Sequence, residues 1–331
     1  MSGSLKDLNL VRKKEYVKDT QEEDFFLEMN KLLQAKEQAQ YRDVEIEHPF
    51  IFIFGLPRSG TTLISQVLAH SFDVGYINNL IARFWLAPVH GIRISKGVIG
   101  DRKSASFQSD YARTTDLADI HEFGYFWRDL LKKETFADVT DVEEREREIN
   151  WQQVKTTLAN MQHAFGKPMV FKNIFGSYHL QKMKAVLGKV IYVYIERDPL
   201  DVAISILNAR KKYYNDLNTW WSYTPPEYDQ LKDLNYWEQI AGQIYFLRRY
   251  YQQAMISQTN DITVSVAYRD LCEQPGTALQ RIQSLCRREY DYDLAIENAP
   301  PDRFPFRTYE NNDAQKQTFA DLIHQFQENN G

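Results

Sequence analysis

Phe50-Ile-Phe-Ile-Phe-Gly-Leu-Pro-Arg-Ser-Gly-Thr-Thr-Leu63 is the stretch on which the reading of this chain turns. Residues 50–54 are an unbroken apolar run of strand-favouring side chains. Such a run fits a strand buried on both faces, as in the middle of a parallel sheet. Gly55 ends it, Pro57, Gly60 and two threonines follow, and Leu63, Ile64, Val67 and Leu68 then recur at helical spacing. Strand, glycine-bounded loop and helix make the layout of a phosphate-binding loop. Backbone N–H groups and the positive end of the helix dipole converge on an anion there. A plain Gly/Ser loop at a strand end is the bland alternative. The apolar strand before it and the amphipathic helix after it favour phosphate binding.

The nucleotide-hydrolase version of this loop reads G-x-x-x-x-G-K-[ST]. Here Gly55, Gly60, Thr61 and Thr62 keep the glycine spacing, but no lysine follows the second glycine, and the cation sits inside the loop as Arg58. The usual grip on a β,γ-phosphate pair is therefore missing.

Around this stretch lies a chain of 331 residues, 43% hydrophobic and 26% charged, long enough for a large core. A net charge of −5 argues against nucleic acid as the partner of the whole surface. No apolar run is long enough to span a bilayer, and the first residues show no signal-peptide core. Two cysteines without metal-ligand spacing argue for a reducing compartment, so a cytoplasmic location is expected.

In chain order, residues 1–48 read as an N-terminal helical extension with an apolar stripe at Phe25, Phe26, Met29, Leu32 and Leu33. Residues 71–86 read as a turn and a second apolar helix. Residues 90–115 read as an irregular loop carrying Arg93, Lys96, Arg102 and Lys103, either solvated or a basic lip over an anionic ligand. His121-Glu-Phe-Gly-Tyr-Phe-Trp-Arg128 sets two titratable groups among aromatics, which raises a carboxylate's pKa and lowers a histidine's. A partly buried helix with one satisfied histidine is the alternative. Residues 141–165 read as one exposed helix. Residues 168–172 form a short strand ending in Lys172, at the end of a sheet where ligands bind.

Val190-Ile-Tyr-Val-Tyr-Ile195 is a further strand, running into Glu196-Arg-Asp-Pro-Leu-Asp-Val-Ala-Ile-Ser205. Asp198 can cap a helix that starts at Pro199, and Arg197 with Ser205 can face one anion. The alternative pairs Arg197 with Asp201 and leaves Ser205 as a small packing residue. Residues 219–251 are rich in rings (Trp220, Trp221, Tyr223, Tyr236, Trp237) beside Gln239 and Gln243. They read either as a sugar-stacking surface or as a bulky core helix. Residues 262–266 make another strand.

Pro-Arg-Ser-Gly-Thr-Thr and Arg-Asp-Pro-x-Asp-x-Ala-x-Ser, each at a strand-to-helix junction, resemble the two cofactor motifs of sulfotransferases that use 3′-phosphoadenosine-5′-phosphosulfate (PAPS). The likeness is to the bacterial and tyrosylprotein types, because the loop carries arginine rather than lysine. The resemblance implies a three-layer, P-loop-like α/β fold with a central parallel β-sheet flanked by helices. The matching core runs roughly over 50–72 and 168–290, and one sulfotransferase domain is expected over 49–331, with acceptor-site insertions near 75–165 and 211–255. It implies PAPS as co-substrate and a hydroxyl acceptor, read as a carbohydrate or other small glycan or lipid-type acceptor; no metal is expected, because the leaving group carries less charge than a nucleoside triphosphate tail and no carboxylate set is placed for magnesium. Arg58, Ser59, Gly60, Thr61 and Thr62 would hold the 5′-phosphosulfate, and Arg197 and Ser205 the 3′-phosphate. Lys172 would meet the leaving oxygen, and Arg303 or Arg307 would close the pocket.

Two departures concern the base. The tyrosylprotein type has a glutamate soon after the first helix, where this chain has Asn78 and Asn79. The small-phenol type has a histidine where Ile174 stands. Glu122 and His121 are therefore the candidates, with Asp119 and His90 behind them. The rival readings are a P-loop phosphotransferase using ATP and a nucleotide-binding module without activity. The sequence does not specify the oligomeric state.

Overall fold

The computed structural model describes residues 9, 11–100, 102–103, 106–111, 113–172, 175–255 and 259–330. Five strands are β1 (Phe50–Gly55), β2 (Gly75–Tyr76), β3 (Met169–Lys172), β4 (Val190–Glu196) and β5 (Thr263–Ala267). In the first half, the helices are α1 (Thr20–Gln38), α2 (Thr61–Ser71), α3 (Pro88–Ile99), α4 (Gly124–Leu130), α5 (Val142–Glu148) and α6 (Trp151–Phe165). The second half adds α7 (Leu180–Leu187), α8 (Pro199–Tyr213), α9 (Tyr228–Leu231), α10 (Tyr236–Ala254), α11 (Tyr268–Glu273), α12 (Pro275–Tyr290) and α13 (Asp313–Asn330).

The strands form one parallel sheet in the order β2-β3-β1-β4-β5. β1 is central and wholly buried. Its alternation separates two layers. Phe50, Phe52 and Phe54 face one side with Phe171, Tyr192 and Tyr194, under α6, α7, α8 and α10. Ile51 and Ile53 face the other with Val170, Val193 and Val266, under α2, α11 and α12. On the aromatic side Phe52 stacks on Phe171 at 5.6 Å, and Phe54 lies 5.2 Å from Tyr194. Each such ring contributes about 1.5–3 kcal/mol by leaving water. A three-layer P-loop-like α/β fold is thus what the molecule has. The carboxyl ends of β1, β3 and β4 meet at one edge, bringing Gly55, Lys172 and Glu196 to the same crevice.

Several elements differ from their sequence reading. α1 forms, but Phe25 and Leu32 of its apolar stripe are 62% and 77% exposed. The helix docks instead through buried Asn30, which bonds the Arg83 carbonyl and the Leu86 N–H, and buried Glu37. The segment expected to be a second apolar helix is the short strand β2 and a 3₁₀ turn, Ile81–Phe84.

Much of the expected loop at 90–115 is helical, as α3. Its first N–H groups, at Val89 and His90, are capped by the Glu37 carboxylate (3.0 and 2.7 Å), a partner far away in the chain. The helix expected over 141–165 breaks at Ile149, and Asn150 caps α6 through the Gln153 N–H (3.0 Å).

The amides of the aromatic segment are interior, not a sugar surface. Gln239 accepts from Arg210 Nη1 (2.7 Å) and donates to the Lys232 and Leu234 carbonyls. Gln243 donates to the Tyr223 carbonyl (2.6 Å).

Candidate active site

The loop after β1 is tightly held. A Cβ on Gly55 would lie 2.5 Å from the Ile195 carbonyl, so the chain passes β4 at a distance that admits glycine. Arg58 and Gly60 take left-handed φ of 67° and 110°. That turn aims the loop at the start of α2, whose first amides have no acceptor within the helix. Gly60 also lies under the Tyr268 ring, which a Cβ there would meet at 2.5 Å. Ser59 is fully buried, and its Oγ has no partner among the described residues.

The second junction locks onto the first. Asp198 caps α8 by accepting from the Leu200 and Asp201 N–H groups, both at 2.9 Å. Arg197 donates through Nη1 to the Arg58 carbonyl (2.9 Å) and through Nη2 to the Arg307 carbonyl (2.6 Å), and its guanidinium stacks on Tyr268 at 4.5 Å. Arg197 Nε lacks a partner among the described residues. Arg58 Nε donates to Ser205 Oγ (3.0 Å) while its guanidinium covers the Tyr111 ring at 4.7 Å. Arg58 thus leans toward Ser205, the residue expected at the 3′-phosphate, rather than toward the helix amides. Of the late arginines, Arg307 approaches through its main-chain carbonyl.

Lys172 joins the loop to the candidate base. Its ammonium is buried at the end of β3, donates to Thr62 Oγ1 (2.8 Å) and forms an ion pair with Glu122. Burial pushes the lysine pKa down, and the Glu122 carboxylate opposes that.

Glu122 is positioned by an irregular segment tied down at many points. The Asn79 amide donates to the Asp116 carbonyl (2.7 Å), the Asn79 N–H to the Asp119 carbonyl (3.0 Å), and the His121 N–H to the Ile77 carbonyl (2.8 Å). Asn78 accepts the Ile81 N–H (2.9 Å) and donates to Ser95 Oγ (2.8 Å). Asn78 and Asn79, which stand where the tyrosylprotein type has its glutamate, therefore brace the segment that carries Glu122.

His121 precedes Glu122, with part of the residue at the surface and protein packed around the ring. Its Nδ1 accepts the Phe123 N–H (2.8 Å), so the neutral ring carries its proton on Nε2. Protein around the ring lowers its pKa to about 4. His121 is neutral at physiological pH with its basic nitrogen already engaged, so Glu122 is the better proton acceptor.

The remaining expectations separate cleanly. His90 bonds Glu37 (2.6 Å), and Asp119 accepts from Ser106 Oγ (3.1 Å), so both serve structure. Of the two readings of 90–115, the basic lip finds no support at Lys96, Arg102 and Lys103. Lys96 reaches the Ala164 carbonyl (2.7 Å), Arg102 pairs with Asp116 (2.9 Å) and Lys103 pairs with Glu297. Ile174 lies outside the described residues. Three tyrosines have contacts at the site that the sequence does not assign to them: Tyr223, expected only as one of a cluster of rings, donates its hydroxyl to the Gly55 carbonyl, Tyr268 covers Gly60, and Tyr111 lies under Arg58. Nothing in their local pattern marks them, since each acts across the fold.

A family profile described as the sulfotransferase family matches residues 49–292. Among solved structures, sulfotransferase STF9 from Mycobacterium avium superposes with a TM-score of 0.52 at 15% identity, covering 97% of this chain and 88% of that chain. Sulfotransferase STF1 from Mycobacterium tuberculosis H37Rv gives 0.48 at 15% identity, covering 88% of this chain and 76% of that chain. No curated protein sequence matches. At such identity the STF9 likeness speaks for the fold, whereas the matched span of 49–292 takes in both strand-to-helix junctions with Glu122 and Lys172 between them, and by that match this chain belongs to the sulfotransferase family.

Proposed function

We propose that the chain transfers a sulfuryl group from PAPS to a hydroxyl of a small acceptor. The observation that carries this is the Lys172 ammonium, bonded at once to Thr62 at the start of α2 and to Glu122. In this reading the hydrogen-bonded chain Thr62–Lys172–Glu122 would link the anion-binding helix terminus, a leaving-group cation and a base. Ser59 Oγ and Arg197 Nε, both lacking partners among the described residues, suit the two phosphorylated ends of the donor. The α2 amides and Ser59 would hold the 5′-phosphosulfate, with Arg58, Arg197 and Ser205 at the 3′-phosphate.

In the transfer, the acceptor oxygen bonds to sulfur while the bond from sulfur to the bridging oxygen breaks. The acceptor proton passes to Glu122, and the electron pair leaves on the 5′-phosphate. Lys172 has three N–H donors. Two reach Thr62 and Glu122, and we assign the third to the bridging oxygen. Alignment and charge neutralisation are what such a reaction demands of a protein.

The segments near 75–165 and 211–255 belong to the acceptor side in this reading. A carbohydrate was the acceptor suggested by residues 219–251, but Gln239 and Gln243 are spent on the interior, so the proposal rests on the hydroxyl alone. The unpaired cysteines Cys272 and Cys286 favour a reducing, cytoplasmic setting.

Calorimetry with 3′-phosphoadenosine 5′-phosphate (PAP), AMP and ATP, followed by PAPS turnover with a panel of alcohols, phenols and sugars, tests the reading. Preference for PAP with turnover on a hydroxyl supports it. Preference for ATP, or an absolute magnesium requirement for turnover, overturns it in favour of a phosphotransferase.

A further inference from the structure

Near the segment that carries His121, Glu122 and Tyr125 lies a group of cations that the transfer itself does not use. The strap of residues 11–18 runs along the end of α8. Its Lys13 N–H bonds the Tyr213 carbonyl (2.9 Å), Arg12 bridges to Tyr214, and Tyr16 packs edge-on to Tyr213 at 4.7 Å. Lys18, at the end of the strap, donates to the Tyr125 hydroxyl in α4, just after Glu122, and to Glu23 (3.3 Å). From the facing loop, Arg113 lies over the Tyr213 ring at 5.0 Å. Arg83 comes from below, bonded to Glu22 (2.7 Å).

These charges act on the site and on one another. Lys18 and Arg83 both disfavour a proton on His121. Arg12 and Arg113 act on Lys18, and Arg12 acts on Tyr125. Lys18 and Arg83 thus stand near His121, bonded to Glu23 and Glu22, and Arg12 and Arg113 lie beyond Lys18. Arg12 and Arg113 form no ion pair among the described residues; Arg12 meets the Tyr214 side chain, and its Nη1 is buried there without an acceptor. In a chain of net charge −5, local positive charge at a cleft focuses anions onto it. A guanidinium fork with unused donors matches an oxyanion, and a buried N–H without an acceptor is costly until one arrives.

We infer that Arg12 and Arg113 form a subsite for an anionic group on the acceptor, so that the substrate class is a hydroxylated small molecule bearing a carboxylate or similar oxyanion. This rests on the donor site and on Glu122 as base, as proposed above. The hydroxyl meets Glu122 while the anionic group lies toward the strap.

Binding to the full chain saturated with PAP gives the test, with 6-hydroxyhexanoate and 6-hydroxyhexanamide as matched probes followed by ligand-observed NMR. The carboxylate should bind at least about tenfold more tightly than the amide. In the R12Q/R113Q variant the two should come within about twofold, with PAP affinity unchanged. R113Q alone, at an exposed position, should remove part of the preference should the double variant fold poorly. Equal binding of the two probes, binding of neither, or a preference that survives both substitutions overturns the subsite while leaving the donor site standing. Failure of PAP itself to bind sinks the donor assignment, and this inference with it.

Discussion

Glu122 and His121 are neighbours, and hydrogen bonding separates their roles. Glu122 accepts from Lys172, whereas His121 already uses its basic nitrogen on the Phe123 N–H. Glu122→Gln should lower kcat by about 10²–10⁴-fold, the range for a lost general base. PAP affinity should stay within about twofold, because the proposed reading puts the side chain on the acceptor side. Steady-state kinetics and calorimetry on the same preparation check both halves. His121 makes a different forecast. Its folded pKa of about 4 lies below the ordinary 6.5, so the unfolded chain takes up the proton first as pH falls. The contribution is whole above pH 6.5 and is lost between 6.5 and about 4. His121→Gln should therefore flatten the fall of Tm with acid in that window, and an unchanged slope would contradict the assignment. Both residues were legible in sequence as titratable groups among rings. Their division of labour was not, because it depends on Phe123 adopting a left-handed φ of 55° and turning its N–H back onto the imidazole.

Elements marked by an apolar run or by a cap next to a proline were legible, and α3, capped from afar, was not. β1, β3, β4 and α8 announce themselves by apolar runs and by Asp198-Pro199. α3 does not, since Gly91 and Gly97 read as loop residues and its cap, Glu37, lies 53 residues before His90. The two glycines now make opposite predictions. A Cβ at Gly91 would meet Phe84 Cβ at 2.9 Å, while one at Gly97 meets nothing within 4 Å. Gly97→Ala should stabilise the protein by up to about 1 kcal/mol through helix propensity. Gly91→Ala should destabilise it through overpacking, by about 1–3 kcal/mol. Denaturant titration of the pair distinguishes the two; a gain at both positions would mean that α3 is packed differently. The apolar stripe of α1 misled for a related reason, because Asn30 and Glu37 make the docking contacts that hydrophobic periodicity assigns to Phe25 and Leu32.

At the scale of the molecule, the two junctions form one clamp, since Arg197 grips the Arg58 backbone and Arg58 grips Ser205. Arg197→Ala should weaken PAP by about 1.5–3 kcal/mol, the scale of a charge-assisted hydrogen bond, with a smaller loss for AMP. An equal loss for the two nucleotides would move Arg197 away from the 3′-phosphate. PAP at about a hundred times its Kd should stabilise the wild type by about 2.7 kcal/mol, read as a rise in Tm. The same PAP concentration should raise the Tm of the Arg197 variant less. The sequence showed both halves of the clamp as motifs. It did not show how they touch, nor that Tyr223 and Tyr268 brace them, because those contacts join residues far apart in the chain.

The alternation of rings and isoleucines along β1 bears on this clamp too. Slipping the strand by one position would swap large for small on both sides of the sheet at once, overfilling one layer and hollowing the other. The central strand therefore tolerates a single alignment against β3 and β4, and the loop tied to its last residue inherits that placement. An inserted or deleted residue within 50–54, however far from any reacting atom, would count as a lesion of the catalytic machinery.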